Sequence, residues 1–195
     1  MSVDPTAVFE AIAHRRSLGL KELRPDPVPR ELIARMLEAA NWAPTHGLTE
    51  PWRFKVYTGE ARRTLGEAFG AAFRAGTPPN QYTPAGEAAQ RDRVWQAPVW
   101  IAVGFVPGLR PNIPEIEDIM ATACAAHNAQ LVASALGLGS KWTTGLTANH
   151  PVTAEFVGFE PPTKLLGFLY VGYPAVPWPR GKRQPIDVKV AWAGD

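Results

Sequence analysis

Only one cysteine, Cys124, occurs in the chain. No intrachain disulfide can staple the fold, and a lone cysteine within an alanine-rich helical pattern reads as a small buried hydrophobe in a reducing compartment. Charge of one sign is equally scarce: 20 Lys and Arg oppose 18 Asp and Glu, a net +2, too little to point to nucleic acid. No apolar run reaches membrane-spanning length. The start, Met-Ser-Val-Asp-Pro, lacks a basic segment followed by an apolar one, so no secretory leader is expected and a cytoplasmic location follows. Two catalytic signatures are also missing. There is no Gly-x-Ser-x-Gly elbow, and Gly137-Leu138-Gly139 lacks the third glycine and the preceding strand of a dinucleotide fingerprint. His14, His46, His127 and His150 invite a metal test together with Cys124. Cys124 and His127 are three apart on one helix, which permits two ligands, but no others stand at recognisable spacing, so no metal is expected.

What the chain has in plenty is proline (20) and tryptophan (7), which imply fixed corners and aromatic packing. Its 195 residues read as a single domain, 1–195, burying roughly 70% of the unfolded surface. Asp4-Pro5 is an N-cap followed by proline at the first helical position, and Val8, Phe9 and Ile12 give an apolar stripe up to about Arg16. Leu32, Ile33, Met36, Leu37 and Ala40 predict a second helix, and Leu65, Ala68, Phe69, Ala72 and Phe73 a third. Phe54, Val56 and Tyr57 mark a short strand. Val99–Val106 and Leu165–Val171 read as buried strands. Gly76 to Gly86 holds three prolines and two glycines and reads as irregular, either a mobile flap or a plain surface loop. Gln90–Ala97 finishes a short helix. Glu115, Glu117 and Asp118 place negative charge in the first turn of a long helix carrying Ile116, Ile119, Met120, Ala123, His127 and Leu131, which Gly137 and Gly139 stop. A brief helical piece surrounds Ala154–Val157.

Asn41 to Phe54 connects a helix to a strand, yet it spends two prolines, a histidine and two tryptophans. Pro44 and Pro51 bias the residues before them towards extended geometry, so Thr45–Glu50 is a stiff excursion. Such a loop is either structural, pinned by Trp42 and Trp52, or functional. His14-Arg15-Arg16-Ser17 ends the first helix. Cations there complement the helix dipole, and two guanidinium groups beside a hydroxyl also make a fork that suits a phosphate.

Arg15-Arg16-Ser17, Ala43-Pro44-Thr45 through Pro51-Trp52-Arg53-Phe54, Gly137 to Trp142, and Gly172-Tyr173-Pro174 with Arg183-Gln184-Pro185 resemble, in order and spacing, the FMN-dependent nitroreductase family, especially its short bacterial members. The resemblance implies an α+β fold with a central, mostly antiparallel sheet flanked by helices, in an intertwined homodimer with FMN at the subunit interface. It implies that Arg15, Arg16 and Ser17 contact the FMN phosphate, ribityl chain and pyrimidine edge, and that Arg183 closes on the phosphate. Trp142, Thr143 and Thr144 would line the flavin's other side, while Trp42 and His46 would reach it from the second subunit. The implied activity is ping-pong oxidation of NADPH or NADH with reduction of nitroaromatics, quinones or similar planar acceptors, with no side chain assigned as a catalytic acid. Family alternatives are a flavin dehydrogenase or dehalogenase, and a non-catalytic flavin store or sensor. Where the family loop commonly carries Asn and Gln, this chain has Leu48 and Glu50. Arg16 and Lys21 are the candidate cations for the reduced flavin.

Overall fold

The computed structural model describes residues 4–194. Helix α1 (Pro5–His14) starts where expected, with the Asp4 carboxylate accepting from Thr6 N at 2.9 Å. This satisfies one of the amide groups that a helix start leaves unpaired. Helices α2 (Arg30–Asn41), α3 (Ala61–Gly76), α4 (Pro84–Asp92), α5 (Glu115–Ala135) and α6 (Pro151–Val157) follow, with strands β1 (Trp52–Thr58), β2 (Val99–Phe105), β3 (Gly139–Thr143) and β4 (Lys164–Gly172) between them. The strands form one sheet in the order β1-β2-β4-β3, and every pair is antiparallel.

Alternation along the central strands sorts the core into two layers. Val99, Ile101 and Val103 of β2, with Leu169 and Val171 of β4, pack with residues of α2 and α5. Trp100 and Ala102, with Phe168 and Tyr170, meet Leu65 and Phe69 of α3 in the other layer. Successive strand residues point to opposite faces, and both faces are covered, so all of β2 is buried and reads as an unbroken apolar run. Phe69 packs edge-on to Trp100 and Phe168, with ring centroids 5.5 and 5.2 Å apart, the orientation that ring quadrupoles favour.

Four local expectations change. The segment after Gly137 forms strand β3, pairing with β4, although Gly-Ser-Lys-Trp-Thr lacks a strand-like alternation. The Pro-rich stretch is not irregular throughout: Pro84 is the first residue of α4, capped by Thr83 Oγ1 accepting from Gly86 N at 3.0 Å. Arg74 grips Glu87 with two guanidinium hydrogen bonds, and Tyr82 Oη donates to Glu87 at 2.7 Å. Cys124 is exposed, not buried. The buried face of α5 is built on Ala121, Ala125, Ala126, Ala129 and Ala133, together with the polar Asp118, Thr122, Gln130 and Ser134; the alanines let α2 lie close, while Ile116 and Met120 face outward. The stripe on α1 likewise stays open, with Phe9 70% and Ile12 50% exposed.

Candidate functional site

The end of α1 turns directly onto β3. Ser17 bridges Ser140, and Leu18 N donates to Ser140 O at 3.2 Å, so the end of the Arg-Arg-Ser segment meets the sheet edge at the start of β3, the strand that carries Trp142 and Thr143. Arg15, Arg16 and Arg183 then share one hollow of about 590 Å³ with Phe9, Ile12 and His127. No carboxylate lines it. Burial first, then the neighbouring Arg183 and Arg16, press the Arg15 guanidinium below its ordinary pKa. Loss of hydration and the Arg15 charge likewise lower His127. Both shifts come first from burial and then from neighbouring positive charge that no carboxylate in the hollow offsets.

Arg16 has a different local task. Its Nη1 donates to Arg15 O at 2.7 Å and to Ala13 O at 2.5 Å, and its Nε donates to Pro179 O at 3.1 Å. It therefore locks the helix end and holds the C-terminal segment across it. At Gly181 the backbone passes so near this guanidinium that a Cβ there would displace it. Trp178 adds a second clasp, stacking on His14 at 5.1 Å and donating Nε1 to His14 O at 2.7 Å. These contacts deliver Arg183 to the hollow.

Trp142 and Thr143 end β3, and Thr144 follows. Arg15 Nε and Trp142 Nε1 are buried donors with no hydrogen-bond partner among the described residues. Such groups are costly unless an acceptor meets them. Unopposed guanidinium groups and orphaned donors together fit an acceptor-rich anion carrying a planar body.

Trp42 and His46 are not part of this cluster within one chain. Trp42 caps α2 and is 80% exposed, its Nε1 donating to Glu38 at 3.2 Å. His46 sits on a short 3-10 turn, and its Nδ1 lies 2.6 Å from Glu117 Oε2. From Glu117 to His127 along α5 is about 15 Å at 1.5 Å per residue. Two groups of candidate residues thus occupy opposite ends of one helix face. Sequence reasoning had seen His127 only as an unsupported metal ligand and Glu117 only as helix-dipole charge; no local pattern paired Glu117 with a histidine 71 residues away. Among the described residues no cluster of three or more His, Cys, Asp or Glu could hold a metal, and no helix is long and apolar enough to cross a membrane.

Comparison with known proteins gives this geometry a context. The sequence model of the nitroreductase family matches residues 12–173. YdjA of Escherichia coli (strain K12), provisionally named an NAD(P)H nitroreductase, is 31% identical over 167 residues, covering 85% of this chain and 87% of its own. A nitroreductase-like family protein from Bacillus cereus superposes over 100% of both chains with a TM-score of 0.82 and 30% identity. The fold is also that of the FMN-dependent nitroreductase NfnB from Mycobacterium smegmatis, solved in complex with NADPH, which matches with a TM-score of 0.72 at 21% identity over 97% of this chain and 99% of that one.

Proposed function

The chain belongs to the nitroreductase family, and we propose that it is a homodimeric FMN-dependent oxidoreductase that takes electrons from NADPH or NADH and passes them to a nitroaromatic, a quinone or a similar planar acceptor. The observation that carries the reading is the hollow in which Arg15, Arg16 and Arg183 meet without a carboxylate. Arg15 and Arg183 would hold the phosphate, since guanidinium groups match its geometry. Arg16 keeps the Arg183 segment in place and adds charge. Ser17 and the end of β3, Trp142 to Thr144, would line the flavin. Bound FMN supplies the redox chemistry, and the protein supplies position and fixed positive charge.

The dimer is supported by what one chain leaves open. Phe9, Ile12, Trp42, Ile116 and Met120 are exposed apolar side chains on α1, α2 and α5, more than an isolated subunit leaves uncovered without reason. In the tail, where Ile186–Lys189 form a short 3-10 turn, the apolar side chains of Ile186, Val188, Val190 and Trp192 are all exposed. Strand β1 has a partner on one side only, and a mostly apolar hollow of about 630 Å³ lies between it and α2. A second copy's tail fits that edge. Trp42 and His46 would then complete the partner's site. The same proposal places the protein in a reducing, cytoplasmic setting, in keeping with an exposed free Cys124.

The direct test is the visible spectrum of the purified protein, followed anaerobically. A flavin spectrum that bleaches with NADPH or NADH and returns with a quinone or nitroaromatic is expected. A flavin that neither nicotinamide reduces would overturn the oxidoreductase reading in favour of storage or sensing. Failure to reconstitute with FMN would overturn the site itself, and a monomer by light scattering that holds FMN tightly would overturn the shared groove.

A further inference from the structure

The loop carrying His46 is strained in its backbone and tied down at several points. Leu48 and Glu50 both have positive φ, 55° and 44°, a conformation that side chains other than glycine adopt at a cost. Thr45 Oγ1 and Thr49 Oγ1 share a hydrogen bond of 2.8 Å, and Arg53 Nη1 donates to Glu50 O at 3.0 Å. These contacts hold the loop to itself and to β1. The His46–Glu117 contact is what ties it to α5. Glu117 is a firm anchor: it lies in the first turn of a 21-residue helix, its N–H donating to Pro114 O at 2.9 Å, and the helix dipole there favours its negative charge.

We propose that Glu117 is the positioning residue for His46, fixing its neutral imidazole as the Nδ1–H tautomer and leaving Nε2 as the atom that meets a ligand. An ionised carboxylate can only accept hydrogen bonds, so the proton at the 2.6 Å contact belongs to Nδ1. Nε2 makes no hydrogen bond to protein among the described residues. It is then an acceptor in the neutral ring and a donor in the imidazolium, so it can take up or release a proton while Nδ1 stays bound. The charged and titratable groups around the ring are Glu117 and Cys124 on α5 and, across the loop, Arg110. Only Glu117 touches it. That Nε2 faces the flavin groove of a second copy rests on the function proposed above; the tautomer does not.

A single exposed contact contributes little to stability, so its effect is read on the ring itself and in turnover. The test is a long-range proton–nitrogen correlation spectrum of the FMN-reconstituted protein at a pH where the ring is neutral, with His46 assigned by its loss in His46→Gln. The wild type should show Nδ1–H. Glu117→Gln should retain it, because the amide oxygen still accepts. Glu117→Ala should move the proton to Nε2, the tautomer that an unconstrained histidine prefers, with a melting temperature within about two degrees of wild type. In stopped flow, Glu117→Ala should slow acceptor reduction roughly tenfold, and Glu117→Gln should restore most of the loss. A wild-type Nε2–H tautomer, or a Glu117→Ala spectrum identical to wild type, overturns the proposal. Flavin that neither NADPH nor NADH can reduce overturns the oxidoreductase reading instead, and leaves the tautomer measurement standing.

Discussion

Removing the Arg15 guanidinium separates a ligand-binding cation from a structural one, because the two roles predict opposite effects on the empty protein. Arg15 Nε is buried without a partner, and burial, Arg183 and Arg16 all disfavour its charged form. Arg15→Ala therefore relieves a repulsion, and the flavin-free protein should be as stable as wild type or slightly more so. With FMN the balance reverses. Hydrogen bonds to a charged partner contribute about 1.5–3 kcal/mol each, so losing one phosphate contact should weaken FMN binding by roughly 10- to 150-fold. Riboflavin lacks the phosphate and should bind wild type and variant alike. The assay is quenching of flavin fluorescence in parallel titrations with FMN and riboflavin, beside thermal melts of the flavin-free proteins. Equal losses for both flavins would refute the phosphate role, as would unchanged FMN affinity. A strongly destabilised empty variant would refute the claim that Arg15 is held in place against repulsion.

Three further outcomes can be checked independently. His127 should titrate to a higher pKa when inorganic phosphate or FMN neutralises Arg15, the second cause of its depression after burial; a histidine NMR titration unmoved by phosphate would show that no anion sits there. Glu87 has its carboxyl pKa lowered by its hydrogen bonds to Arg74 first and Tyr82 second, so its stabilising effect is present above the ordinary carboxylate range and is lost as pH falls through the depressed value. The wild-type melting temperature should hold from neutrality to about pH 5 and then fall, whereas Glu87→Gln should start several degrees lower and lose part of that acid dependence; parallel melts across pH decide. Gly167→Ala should cost about 2 kcal/mol or more in denaturant unfolding, because φ is 125° and the new methyl would lie 2.5 Å from Thr143 O; an unchanged midpoint would show that the β4 backbone yields there.

Much of the fold is legible because burial writes itself into local pattern. Strands β2 and β4 are covered on both faces, and their apolar runs at Val99 and Leu165 show it. The Asp4-Pro5 start and the Gly137 stop are equally local, since both follow from the backbone geometry of helix ends. Strand β3 is not, because its partner β4 supplies the pairing and Gly139 to Thr143 carries no alternation of its own. The proline at position 84 misleads for a specific reason: read as a breaker, it is the first residue of α4, where a missing N–H costs nothing. The Arg15-Arg16-Ser17 fork is visible in sequence, but its closure is not, since Arg16 meets Pro179 across 163 residues. Glu117 is hidden more thoroughly. An acidic residue in a first helical turn has a sufficient local explanation, and nothing nearby advertises a second task.

Helix α5 explains why these pieces form one arrangement. Its inner face is rich in alanine, so α2 and the sheet pack close against it. Its outer face carries Glu117, Met120, Cys124 and His127 at spacings of three, four and three, which fall along a single stripe. One end of that stripe faces His46 and the other faces Arg15. The separation of about 15 Å is too great for a single phosphate group to span, so under the function proposed here one chain would carry two half-sites. If a second copy lies against the exposed apolar side chains of α1 and α5, with the two α5 helices antiparallel, the His46 end of each chain approaches the arginine end of the other. The large outward residues on α5 are then interface, not misplaced core. The same helix that closes the core thereby sets the distance between the groups that would hold the phosphate and the histidine that would meet the ring.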